Sequence, residues 1–318
     1  MITKNSEVIQ LLCSHLCLSE GLKPLDAKEW TFISNTMAEN HLNHDNLFFY
    51  SEIDFKEIFN FDSTMSNRII RLINRGKNFF YEIDKYEEMG IYIMTREDNK
   101  FYPTTLKTKL TEKCPPLLYY AGNPTLLNNK YIGFVGSRSI DSAAEDFTIN
   151  TVDKINKSGY GVVSGGAKGI DSISVTRSLQ NGVPCVEYLS DSLKRKVKIA
   201  EIAEYIKNDK LLLLSQTHPE AGFDTGMAMS RNKLIYAQSE ATIIVKSDLK
   251  KGGTWTGATE NLKKRFCPSF CWNNKDYPGN IELIHKGAYP IDEDWDGNIE
   301  VDLQCEKEKE KPQQMKLF

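Results

Sequence analysis

From Ile2 to about Met89, apolar residues recur at three- and four-residue spacing, as in Val8, Leu11, Leu12 and Leu16 and again in Ile69, Ile70 and Ile73. Breaks fall at Gly21, Pro24 and Gly76. That period puts the apolar side chains on one face of successive helices, so residues 1–89 are predicted to form a small all-α domain. After Gly90 the pattern changes to short apolar runs at 91–94, 117–120, 132–135, 162–163, 185–189, 211–214, 241–245 and 269–272. Most are continuous rather than alternating, which is what parallel strands covered on both faces require. Helical segments stand between them, notably 141–157, closed by Ser158-Gly159, and 196–206.

This β-α alternation over residues 90–290 predicts an α/β fold, a doubly wound, Rossmann-like, mostly parallel sheet whose ligands sit at the carboxyl ends of the strands. Residues 291–318 differ again. CEKEKEKPQQMKLF alternates charges and passes Pro312 into a short amphipathic terminus, so this part is predicted to be a flexible tail.

Three predicted strands finish in polar, glycine-bearing loops. FVGSRS contributes Gly136, Ser137 and Arg138; VVSGGAKGID contributes Ser164, Gly165, Gly166, Lys168 and Gly169; IVKSDLKKGGTWTGATE contributes Gly252, Gly253 and Thr254. Each precedes a helix, and backbone N–H groups at helix N-termini attract anions, to which Arg138 and Lys168 add fixed charge. MSRNKLIYAQSEA adds Arg231, Asn232 and Lys233, read as standing just ahead of another helix. One such loop is ordinary turn chemistry; several on one strand edge point to a ligand with several phosphates.

Composition narrows the classes. A chain of 318 residues holds at least one full core, and its formal charge of −3 excludes a globally basic coat, so a nucleic-acid site must be a local patch. No apolar run nears the roughly 20 residues that cross a bilayer, and the first residues lack a secretory h-region, so a cytoplasmic protein without a membrane partner is expected. The seven cysteines include no paired CxxC set, so no metal is expected. No cofactor is expected either. In SNRIIRLINRGKNFF, Arg68, Arg71 and Arg75 line one helical stripe, read as a solvated face with an auxiliary DNA contact as the alternative.

Taken in order, MGIYIMTREDNKFYPTTL, PPLLYYAGN, IGFVGSRS, GYGVVSGGAKGID, LLLLSQT, SRNKLIYAQSE and GGTWTGATENLKK resemble the DprA/Smf family of DNA-processing proteins over about residues 90–272. The resemblance implies an extended Rossmann domain whose strand-end pocket binds single-stranded DNA and which assists a RecA-type recombinase in recombination or transformation, with a homodimer as a further implied partner. It also implies backbone-phosphate contacts from Arg138, Lys168 and Arg231, hydroxyl or amide donors from Ser137, Ser164 and Gly165, and a base-edge or bracing role for Asn232. Asp171 is expected to cap the helix after its loop. Trp255 and Phe223 are candidate stacking platforms. The chain departs from the family where Ser172-Ile173-Ser174 follows the GID motif, a place where many relatives have Ala-His, and no winged-helix module is visible after Pro290.

An enzyme of the same superfold is the competing class. The superfold also hosts nucleotide hydrolases of the LOG group, with a PGGxGTxxE motif, but GGTWTGATE has Trp255 where that motif has glycine and Glu260 one position late. No GxxxxGK[ST] is present. Glu187 and Asp171 have no identifiable catalytic partner, and His218 reads as a loop residue. A non-catalytic DNA binder is therefore expected, with a nucleotide-sensing or nucleotide-hydrolysing pocket, in defence or mobile-element biology, as the alternative. Finally, Gln314, Met315, Leu317 and Phe318 form a Gln-x-x-Leu-Phe ending that resembles the peptide bacterial partners insert into the replicative sliding clamp.

Overall fold

The computed structural model describes residues 3–98 and 100–300. The amino-terminal region forms α1 (Lys4–Cys13), α2 (Ala27–Glu39), α3 (Glu52–Phe59), α4 (Ser63–Asn74) and α5 (Gly76–Glu87). Then follow β1 (Tyr92–Thr95), α6 (Thr104–Leu110), β2 (Leu117–Ala121), β3 (Tyr131–Val135), α7 (Ser142–Lys157), β4 (Gly161–Ser164), α8 (Ile170–Gln180) and β5 (Cys185–Leu189). The remainder comprises α9 (Leu193–Val197), α10 (Ala200–Lys207), β6 (Leu211–Ser215), α11 (Thr225–Gln238), β7 (Ala241–Ile244), α12 (Gly252–Lys264), β8 (Ser269–Trp272), α13 (Pro278–His285) and β9 (Tyr289–Ile291). The strand order is β1-β2-β6-β5-β4-β3-β7-β8-β9, a nine-stranded and mostly parallel sheet of the extended Rossmann-like kind. The chain divides into two compact units, Met1–Leu127 with Glu187–Ala237, and Asn128–Val186 with Gln238–Phe318. The expected boundary at residues 89/90 thus falls inside the first unit.

In the first unit β1 pairs with β2 and β2 with β6, both antiparallel, with Met94 opposite Leu118 and Tyr119 opposite Ser215. All of β6 is buried, which explains its unbroken run of leucines. The helices start where the sequence supplies caps. Asp26 accepts from the Lys28 and Glu29 amides at 2.8 and 2.9 Å while Glu29 reaches back to the Asp26 amide, a capping box that opens α2. The arginine stripe is not a solvated face. Arg68 forms an ion pair with Glu29 at 2.6 Å and donates to the Lys23 carbonyl at 2.9 Å. Arg75 turns its guanidinium onto backbone carbonyls of Leu11, Ser14 and Leu16, so two of the three cations tie helices together.

Glu187, for which the sequence offered no catalytic partner, is 3% exposed and paired with Lys196 at 2.6 Å. The expected single helix over 196–206 is two short ones, α9 and α10, interrupted at Lys198 and Ile199.

In the second unit β4-β3-β7-β8-β9 run parallel, with Ile132 opposite both Val162 and Ala241, and Ile243 opposite Phe270. Helix α7 begins where Asp141 accepts from the Ala144 amide at 2.9 Å. It packs against α8 under the Arg177–Asp153 ion pair at 2.6 Å. Strand β9 was not anticipated because Tyr-Pro-Ile is short and contains a proline, which only an edge strand tolerates. Residues 291–300, expected to open the tail, are packed: Ile299 is fully buried and Trp295 stacks on Phe270. Residues 301–318, with Gln314, Met315, Leu317 and Phe318, lie outside the described residues. Among the described residues no helix is long and apolar enough to cross a membrane.

Candidate nucleic-acid interface

The site grows from three neighbouring parallel strands of the second unit, β4, β3 and β7. Because they point the same way, the chain leaving each carboxyl end emerges on one edge. The two glycine loops there pack in direct contact, a closeness that only the absence of side chains permits. A Cβ on Gly136 would lie 2.4 Å from Cγ1 of Ile170, and one on Gly169 would lie 2.4 Å from the Ser137 carbonyl oxygen and 2.9 Å from Cα of Arg138. Gly169 also has φ +81°, a conformation L side chains rarely adopt, and it occupies the cap position of α8. Asp171, expected as the cap, sits instead in the first turn of α8, where its charge favours the helix dipole.

A second set of bonds joins this pair of loops to the chain beyond β7. The Ser137 amide donates to the Lys246 carbonyl at 2.9 Å, and Lys246 Nζ reaches Asp141 at 2.8 Å. Tyr277 donates its hydroxyl to Asp141 at 2.5 Å. The bonds from Lys246, Tyr277 and the Ala144 amide hold the Asp141 carboxyl well below the usual carboxylate range, so at neutral pH it is an ion matched by Lys246. Burial, followed by the neighbouring Asp141, pushes the Tyr277 hydroxyl up. Asn280, fully buried, donates to the carbonyls of Val245 and Trp272 and accepts from the Ser247 amide at 2.9 Å, fixing where the chain leaves β7.

Around this frame Arg138, Lys168, Lys250 and Lys251 are exposed, with Asp248 the acid on the same loop. Gly252, Gly253 and Thr254 make the first turn of α12, so their segment is a helix start rather than a free loop. The expected donors separate into two kinds. Ser137 accepts from the Ser139 amide at 3.1 Å at the edge, whereas Ser164 is fully buried and donates to the Phe134 carbonyl at 2.8 Å, bracing β3 against β4. Lys250 and Lys251, not singled out from the sequence, are the Lys-Lys pair immediately before Gly-Gly in the same stretch.

Arg231, Asn232 and Lys233 belong to the first unit, and they lie within α11 rather than ahead of a helix. Arg231 is 4% exposed and donates Nη1 to the Tyr188 carbonyl at 2.9 Å, which holds α11 to the end of β5. Of the proposed platforms Phe223 is exposed and Trp255 half-buried. His218 accepts from the Glu220 amide at 3.0 Å and faces the Tyr86 ring, as a loop residue would.

A doubly wound sheet whose adjacent parallel strands end in closely packed glycine loops, with exposed cations on the segments that follow, defines a Rossmann-like protein. The chain belongs to the family described as DNA recombination-mediator protein A, whose profile matches residues 93–299. It is 27% identical over 211 residues to the DNA processing protein DprA of Bacillus subtilis, covering 65% of this chain and 70% of the relative. It is 26% identical over 244 residues to the protein Smf of Synechocystis, covering 74% of this chain and 60% of Smf. Among solved structures it is similar to DprA of Streptococcus pneumoniae, with a TM-score of 0.66 at 19% identity, over 91% of this chain and 95% of that one. A second similar fold is DprA of Helicobacter pylori, a protein described for its single-stranded DNA binding mode, with a TM-score of 0.56 at 24% identity over 68% and 96% of the two chains.

Proposed function

We propose that this protein binds single-stranded DNA along the carboxyl edge of β4, β3 and β7, without turnover, and acts in DNA recombination or transformation by presenting the strand to a RecA-type recombinase. The observation that carries the reading is the set of exposed Arg138, Lys168, Lys250 and Lys251 on the segments leaving β3, β4 and β7, beside two glycine loops that pack in direct contact. Such a surface takes a chain of phosphates, because several fixed cations at one edge reward a polyanion more than a single phosphate. Family membership and the DNA binding described for the Helicobacter pylori relative support the same ligand. Arg231 serves here as a brace for the backbone of β5 rather than as a phosphate contact, and Ser164 as a brace for β3. Glu187 is committed to Lys196, which supports a binder over an acid–base catalyst.

The test is a fluorescence-anisotropy titration with labelled oligonucleotides of increasing length at several salt concentrations. Affinity should rise with length and fall with salt. Arg138→Ala and Lys168→Ala should each lower the slope of log K against log salt by about 1, uniformly across sequences. Length-independent binding of mononucleotides with wild-type salt slopes in both variants would reject the strand-edge reading.

The Gln-x-x-Leu-Phe ending supports a second contact, docking of the tail on the sliding clamp. In a pull-down with purified clamp, the Leu317→Ala/Phe318→Ala variant should lose binding of about micromolar strength or weaker, as expected of a short peptide. Equal retention of both proteins would remove this contact.

A further inference from the structure

The first unit contains a cavity of about 360 Å³ that the strand-edge reading does not use. That volume lies in the range of roughly 300–1,000 Å³ typical of small-molecule sites. Its walls include buried Pro115 and Pro116 together with Met227, an apolar and largely rigid surface against which a flat ring can lie. The side chain of Gln216 also lines the cavity, and its amide nitrogen is buried with no hydrogen-bond partner among the described residues. A buried donor left unmatched is costly, so the site asks for an acceptor from outside the chain.

Charge at the cavity has one sign to spare. Lys28 and Lys113 line it and are exposed, and the only acid that approaches Lys28 among the described residues is Glu112, at 3.9 Å between two solvated side chains. Such a pair is screened and weak. Asp26, the acid in the lining, directs its carboxylate to the Lys28 and Glu29 amides at the start of α2. His15, also in the lining, is held neutral at physiological pH by burial and by the nearby His218 and Arg75, so it neither adds nor cancels charge there.

An apolar wall, a buried unpaired amide on the lining Gln216 and three lining lysines, exposed Lys28 and Lys113 and half-buried Lys233, match a ligand with a flat, acceptor-bearing base at one end and a phosphate at the other. A glutamine amide is also the side chain that pairs with adenine through N6 and N7. We infer that this cavity binds one purine nucleotide, with its base edge on Gln216 and its phosphate at Lys28 and Lys113. The same chemistry is presented by a free mononucleotide and by the terminal nucleotide of a DNA strand. The site is independent of the strand-edge reading, since every lining residue belongs to the first unit.

The experiment is calorimetric titration of the full chain with dAMP, and in a second arm with short oligothymidylates ending in either 5′-phosphorylated dA or 5′-phosphorylated dT. Saturable dAMP binding identifies a free-nucleotide site. An advantage of the dA end over the dT end without dAMP binding identifies a strand-end site. In either case Gln216→Leu should weaken the interaction about tenfold, the equivalent of one good hydrogen bond. Lys113→Glu, an exposed position whose replacement leaves the core untouched, should weaken it by at least as much. Lys168→Ala, in the second unit, should leave dAMP binding unchanged while lowering the salt slope for long strands, which separates the two readings. Absence of binding in both arms, or equal binding by wild type, Gln216→Leu and Lys113→Glu, would overturn the inference.

Discussion

Replacing Gly169 by alanine should destabilise the second unit by about 3 kcal/mol and reduce affinity for single-stranded DNA at least about tenfold. Two separate effects add at this residue. Its φ of +81° with ψ of −133° lies where an L side chain is strained by about 1–3 kcal/mol. The new methyl group would in addition meet the Ser137 carbonyl oxygen at 2.4 Å and Cα of Arg138 at 2.9 Å, backbone atoms that cannot rotate away. Relief requires the Lys168 loop to move off the Arg138 loop, and the two cations then lose their fixed separation. Gly159 supplies the control. It has a similar φ of +85° but no atom within 4 Å of its absent Cβ, so Gly159→Ala carries the conformational penalty alone, about 1 kcal/mol. Thermal unfolding and anisotropy read the two consequences separately. If Gly169→Ala melts with Gly159→Ala and binds DNA as the wild type does, the loops are not interlocked.

This contrast also shows what a single sequence discloses and what it does not. The buried strands were legible because parallel strands covered on both faces need continuous apolar runs, and Leu211 to Leu214 or Ala241 to Ile244 leave little alternative. The glycine loops were legible for a similar reason: a turn straight from strand to helix demands bare backbone. Partner choice was not. Arg68, Arg75 and Arg231 have the spacing or motif context of exposed cations, yet each finds carbonyl or carboxylate oxygens from segments distant in sequence. A guanidinium with five donors is as well suited to tying backbone as to holding phosphate. The packing of the chain beyond Pro290 through Ile299 rests on three apolar residues, Ile291, Trp295 and Ile299, which stand singly among acidic and polar neighbours and so give no continuous apolar run. The Gln216 cavity was invisible because its lining comes from five separate stretches of chain.

Arg75 gives the second large effect, and the one that best separates a structural cation from a DNA-binding one. It stands at the junction of α4 and α5, donates Nη2 to the Ser14 carbonyl at 2.9 Å, and also reaches the carbonyls of Leu11 and Leu16. These acceptors lie at and just beyond the end of α1, where a helix leaves its last carbonyls without internal partners. The guanidinium carbon also sits 5.0 Å over the Phe79 ring. Burial lowers the Arg75 pKa to about 10, which still leaves it charged at neutral pH. Arg75→Leu would leave three carbonyls without their donor and should lower the stability of the first unit by about 3 kcal/mol in urea unfolding. Arg75→Lys, a point charge in place of a fork, should recover only part of this. Arg71, exposed and bonded among the described residues to the Ser19 hydroxyl at 3.1 Å, should tolerate alanine within about 0.5 kcal/mol. Were Arg75 a DNA contact instead, its loss would lower the salt slope of binding and leave the unfolding midpoint in place; the geometry requires the opposite, a lower midpoint with an unchanged slope.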